Sequence, residues 1–245
     1  MGRTLAFLSM ELEDITRPPI YDALLVVSMI LGGLYASIIP RISAVKLAID
    51  VTNIPLFIAI IYLAIRGSAG LASLVSNTVL QLYLTYPLSR RIILTVLLIT
   101  RILLPSILIV GSPLLTASII MFSTVSEKPL EVLIIFAGRI MYLYFIGIIF
   151  MLIALGTKRT TLAGILSIVF YFAYTFIAGI MTTLSFVLEL QVFKYIALSL
   201  MFSDTLNNYV IGLNVPYWTL IPVPLASIIL TVLLYIYFTR RFEPT

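Results

Sequence analysis

The chain has 245 residues, of which 62% are hydrophobic and only 10% charged, and its mean hydropathy is +1.18. A soluble domain carries about 25% charged residues, so a single water-facing fold is excluded and lipid must solvate much of the apolar surface. Cysteine and histidine are both absent, which removes disulfides, thiol nucleophiles, histidine acid–base catalysis, and thiolate or imidazole metal sites. The net charge of +5 comes from basic residues scattered between apolar runs, which suits asymmetry across a membrane better than nucleic-acid binding.

The N-terminal stretch, Met1 to Pro19, does not read as a signal peptide, because Glu11, Glu13 and Asp14 interrupt it and no apolar core precedes a cleavage site. Ala6 stands where a myristoylation signal needs Ser or Thr. Residues 3–17 have amphipathic helical spacing, with Leu5, Leu8, Leu12 and Ile15 on one stripe and Glu11 and Asp14 elsewhere on the wheel. That predicts a helix lying in the membrane interface; a frayed soluble tail is the plainer alternative.

Six spans follow, at 20–39, 47–66, 98–122, 130–155, 161–188 and 217–238, each near the ~20 residues a hydrocarbon core requires. Asn53 and Pro55 fall near the outer end of the second span. Gly67-Ser68-Ala69-Gly70 reads as a flexible joint. Beyond it Leu71, Leu74, Val75, Thr78, Leu82 and Tyr86 form one stripe, with polar residues between them. Proline disfavours helix in the residue before it, so Pro87 should end this helix near Tyr86. Ser89 can cap a new helix at Arg90. That helix is predicted to start outside the bilayer and enter it near Ile99, with Arg101 snorkelling to the inner surface. Pro105 and Pro113 should kink it. The segment from Glu189 to Pro216 is long for a membrane turn and apolar enough at 190–202 to dip back into the interface as short helices or protein-buried chain.

With both termini inside, ten basic residues fall on the inner side, four on the outer side, and Arg139 within a span. That bias predicts cytoplasmic termini, and it places residues 71–91 and the turn at Lys158 and Arg159 in the cytoplasm. The fold class expected is all-α: a polytopic membrane protein with six transmembrane helices, an N-terminal interfacial helix and a cytoplasmic coupling helix.

Little chemistry is available. No G-x-x-x-x-G-K-[ST] loop occurs, so this route to ATP hydrolysis is closed to the chain itself. All ten acids fall in tails, loops or span ends, which argues against a proton relay and a secondary transporter. Intramembrane protease constellations are missing too. No catalytic residue, metal ligand or bound cofactor is therefore expected. Arg139 is the one candidate polar site at span depth, either lining a path for an anionic substrate, pairing with Glu127 or Glu131 at a tilted outer end, or simply tilting out to water. Tyr142, Tyr144, Tyr171 and Tyr174 form either a substrate-facing stripe or ordinary helix packing.

The stretch from Thr78 to Arg90 (Thr78-Val79-Leu80-Gln81-Leu82-Tyr83-Leu84-Thr85-Tyr86-Pro87-Leu88-Ser89-Arg90) resembles the G-T-L-E-x-L-L-x-x-P-[VL]-S-R signature of the type-2 ATP-binding-cassette permeases, the membrane subunits of ABC exporters. The turn from Leu155 to Ala163 and the arginine-ended last span, Tyr237 to Phe242, resemble that family's layout as well. Gln81 replaces the usual Glu, and the acid commonly found around Ser73 is absent. The resemblance implies a cell-membrane permease working as a homodimer or beside a related chain. ATP and Mg would be handled by a separate nucleotide-binding subunit. It further implies docking of that subunit on Thr78, Gln81, Leu82, Tyr86, Pro87, Ser89, Arg90 and Arg91, with Lys158 and Arg159 nearby. A motor-independent channel or carrier, and a membrane anchor that recruits a soluble partner, are the alternatives.

Overall fold

The computed structural model describes residues 2–15, 20–39, 42–77, 79–80 and 89–240. Among these the regular elements are all helices, and six are long and apolar enough to cross a membrane. Helix α1 is Gly2–Ile15 and α2 is Ile20–Ile38. Helix α3 runs unbroken over Ala44–Ser76, and α4 over Arg90–Ile120. A single turn at Phe122–Val125 leads to α5, Pro129–Thr157, and then to α6, Thr160–Val187. Two short helices, α7 (Gln191–Leu200) and α8 (Phe202–Val210), precede α9, Tyr217–Arg240.

Local chemistry sets several of these ends. Ser43 and Ser89 cap α3 and α4, each hydroxyl accepting the N–H three residues on, at 3.4 Å. Pro129 opens α5, where its missing N–H costs nothing. Lys158, in the left-handed region at φ 53°, closes α5. The turn expected at 156–160 is therefore only Lys158 and Arg159.

Helix α5 is the centre of the bundle, with α3, α4, α6, α8 and α9 packed around it. Its Leu143, Ile146, Phe150 and Leu155 are fully or almost fully buried. The outer helices are different: α6 turns Ile165, Phe172, Phe176 and Ile180 outward. This is the distribution of a protein dissolved in lipid, where apolar side chains need no protein cover.

Contacts at one end fix the up-and-down order. Thr95, near the start of α4, is bonded to Tyr235, near the end of α9, at 2.6 Å. Ser68 of α3 accepts from Ser167 of α6 at 2.8 Å and donates to Ala163 O at 3.4 Å. The close of α3, the starts of α4 and α6 and the close of α9 thus share one end of the bundle with α1.

One sequence expectation is corrected here. Gly67-Ser68-Ala69-Gly70 is not a joint. It lies in a continuous helix whose Leu63–Ala69 segment is a wide, π-type turn. In lipid, small residues mark close helix approach, and Gly164 lies 3.4 Å from Ala69 Cβ by the position its own Cβ would take. The 189–216 segment takes the short-helix form open to it, as the hairpin α7–α8. A second wide turn, Ile99–Leu103, sits in α4 just before Pro105, and it accommodates the N–H that proline lacks.

Candidate functional site

Two arginines are buried in this bundle among the described residues. Arg101 sits in the wide turn of α4 and is 3% exposed. Its Nε and Nη2 donate to Glu11 Oε2 of α1 at 3.1 and 3.0 Å, and Glu11 is 0% exposed. Its Nη1 donates to Arg66 O at 3.3 Å. That carbonyl is free because of the wide turn in α3. Gly70 N–H reaches back five residues to Ile65 O, where an α-helix would put it on Arg66 O. Gly70 also clears the way: a Cβ there would lie 2.9 Å from Arg101 Nη1. The side chain therefore does not snorkel, and Glu11 is not on a solvent face. The amphipathic stripe misled because Leu5 is exposed while Phe7 and Glu11, one turn apart, face the bundle.

Arg139 is 2% exposed and lies ten residues into α5, about 15 Å from its start. Its Nη1 donates to Ser203 Oγ of α8, and its Nη2 donates to Asn53 Oδ1 of α3 at 2.5 Å. Its Nε is buried without a hydrogen-bond partner. Neither Glu127 nor Glu131 serves it: Glu131 pairs with Lys128 at 3.6 Å at the end of the helix.

The hairpin brings Ser203 to this depth. Tyr174 Oη of α6 donates to Leu200 O at 2.5 Å, and Thr205 Oγ1 to Leu198 O at 2.6 Å. Gly138 lets α8 lie against α5, since a Cβ there would fall on Leu206 Cδ2.

Beside Arg139 is a cavity of about 160 Å³, lined also by Asn53, Tyr142, Tyr171, Tyr174, Ser203 and Asp204. Three of the four tyrosines singled out from sequence meet here. Tyr144 instead bonds Thr231 of α9 at 3.1 Å. Met201 and Asp204 also line a second cavity of about 490 Å³ with Lys194 and Asn208, so the hairpin tip separates two spaces. Glu11 and Asp204 both lie outside the six spans, Glu11 buried in α1 and Asp204 exposed on α8. Sequence reading missed Asn53, Ser203 and Asp204 as a set. A lone amide in an apolar span was the only signal available.

A buried guanidinium held only by neutral acceptors costs several kcal/mol. Asn53→Asp, which supplies a carboxylate at one of those acceptors, is expected to raise the thermal denaturation temperature in detergent. Asn53→Leu should lower stability by about 1–3 kcal/mol. The reverse order of the two variants would show that Arg139 is already neutralised.

Of the residues expected to meet a motor, Thr78, Gln81, Leu82, Tyr86 and Pro87 lie outside the described residues. Ser89, Arg90, Arg91 and Arg159 are exposed and Lys158 half-buried, and Arg90 Nη1 donates to Thr239 O at 3.4 Å. Among the described residues no cluster of acids could hold a metal ion. No family model matches the chain, and no curated protein sequence matches it.

Proposed function

We propose that the chain is the permease subunit of an ATP-driven exporter of the ABC type-2 kind. In this reading it lies in the cell membrane with both termini cytoplasmic, pairs with a second permease, and takes its energy from a separate nucleotide-binding subunit. The observation that supports this best is the overhang of α3 and α4. At 33 and 31 residues they reach about 50 and 46 Å, against a hydrocarbon core of ~30 Å. Ala69 lies beside Gly164, one turn into α6, and α3 continues about two turns further to Ser76. Residues 77–89, which include most of the permease-like stretch, join the close of α3 to the start of α4 in the chain.

A motor needs a stiff lever that enters the bundle. Helix α4 is one continuous helix from Arg90 past Arg101, and the Glu11–Arg101–Arg66 contacts tie it to α1 and α3. Force applied near Arg90 and Arg91 would reach the packed core without passing a joint. The test is co-purification from native membranes in mild detergent. An ATPase subunit should be recovered with the wild-type chain. Arg90→Glu, or Tyr86-Pro87 changed to alanines, should reduce that recovery or uncouple hydrolysis from transport. A chain that purifies alone, and whose behaviour neither change alters, would overturn the proposal in favour of a motor-independent carrier or an anchor.

A further inference from the structure

The cavity beside Arg139 is lined by groups of both charges. The Arg139 guanidinium spends two of its five N–H groups on Ser203 and Asn53, both neutral. The exposed Asp204 carboxylate lines the same cavity, and no ion pair joins the two among the described residues. Tyr142 of α5 and Tyr171 and Tyr174 of α6 line it as well. Aromatic rings with a nearby carboxylate attract an ammonium group, and a guanidinium with spare N–H groups attracts a carboxylate or phosphate.

We propose that this cavity binds a small zwitterion, with its anionic group at Arg139 and its ammonium between the tyrosines and Asp204. Its volume of about 160 Å³ suits a group of roughly five to eight non-hydrogen atoms, judged from the ~30 Å³ share of a water molecule. Such a ligand neutralises both charges at once, which neither an anion nor a cation alone can do. Entry is past Met201 and Asp204, the two residues shared with the larger neighbouring cavity. Met201 has a flexible, unbranched side chain able to swing aside. The same chemistry is carried by a free solute and by the headgroup of a zwitterionic lipid. The proposal does not depend on a motor, so it survives or fails separately from the exporter reading.

The test uses the full chain in nanodiscs of phosphatidylglycerol, with glycine betaine as probe and choline and acetate as its two halves. Betaine should raise the denaturation temperature saturably, and each half alone should bind at least roughly ten-fold more weakly. Asp204→Asn should weaken betaine binding roughly ten-fold by removing the ammonium partner. Asn53→Asp should do the same by occupying Arg139. Nanodiscs of phosphatidylcholine separate the sources. Protection without betaine, lost in Asp204→Asn, identifies a lipid headgroup. A betaine shift of equal size in both lipids identifies a free solute. The proposal is overturned if neither betaine nor phosphatidylcholine protects, if acetate matches betaine, or if Asp204→Asn binds as tightly as wild type.

Discussion

Glu11→Gln is expected to destabilise the chain by about 3–5 kcal/mol, among the largest effects of any conservative change in it. The substitution keeps the shape but leaves Arg101 charged and enclosed, and breaking a buried pair by removing one partner costs about that much. Arg101→Met should cost at least as much, because it also strips Arg66 O of its donor. Combining Glu11→Leu with Arg101→Met should recover most of the loss, since apolar replacement of a buried pair is often close to neutral. Thermal denaturation in detergent measures all three. Small, additive losses would mean that water reaches the pair. The functional consequence differs from the stability one. The double variant should fold but release α1 from α4, so in the exporter reading it should retain its ATPase partner and lose coupling.

Gly32 carries the second large effect. A Cβ at this position would lie 2.4 Å from Pro113 O and 2.7 Å from Pro113 Cα, so it meets backbone rather than a movable side chain. Gly32→Ala must push α2 away from α4, two helices in extensive contact. The expected loss is about 3 kcal/mol or more, since packing holds helices together in lipid. The neighbouring Gly33→Ala is the control. Its Cβ would meet only Thr116 Cγ2 at 3.5 Å and Ile120 Cδ1 at 3.7 Å, ordinary contacts, while gaining up to ~1 kcal/mol of helix propensity. The two substitutions should therefore have opposite signs in the same assay, and equal effects would refute the close crossing.

Much of the architecture is legible in the sequence because the bilayer imposes it. Six apolar runs become six helices, and Ser89 starts α4 as its cap chemistry requires. The buried charges are not legible. On a soluble helix the apolar stripe marks the core, but here lipid rewards apolar side chains on the outside, so Leu5 can face out while Glu11 turns in. Nothing local in the sequence couples Glu11 to Arg101, ninety residues away. Arg139 stands out in the sequence as a cation at span depth, but its partners arrive from α3 and from a hairpin whose dip the sequence shows without saying which residue it brings to Arg139. Gly67 to Gly70 misleads because glycine permits both a joint and a close approach, and the choice is made by Arg101 and α6.

The wide turn in α3 also affects how that helix winds. Every fourth residue from Leu47 to Val75 is buried: Leu47, Val51, Pro55, Ala59, Leu63, Gly67, Leu71 and Val75. On a regular α-helix a row of step four creeps around the axis by about 40° per step, and over this length it would pass to the opposite side. One extra residue in the turn takes back about 100° of that creep. The turn thus removes about a third of the roughly 280° that seven such steps accumulate, and each part of the helix contacts α5. The same extra residue that frees a carbonyl for Arg101 thus also slows the drift of the buried row around the helix.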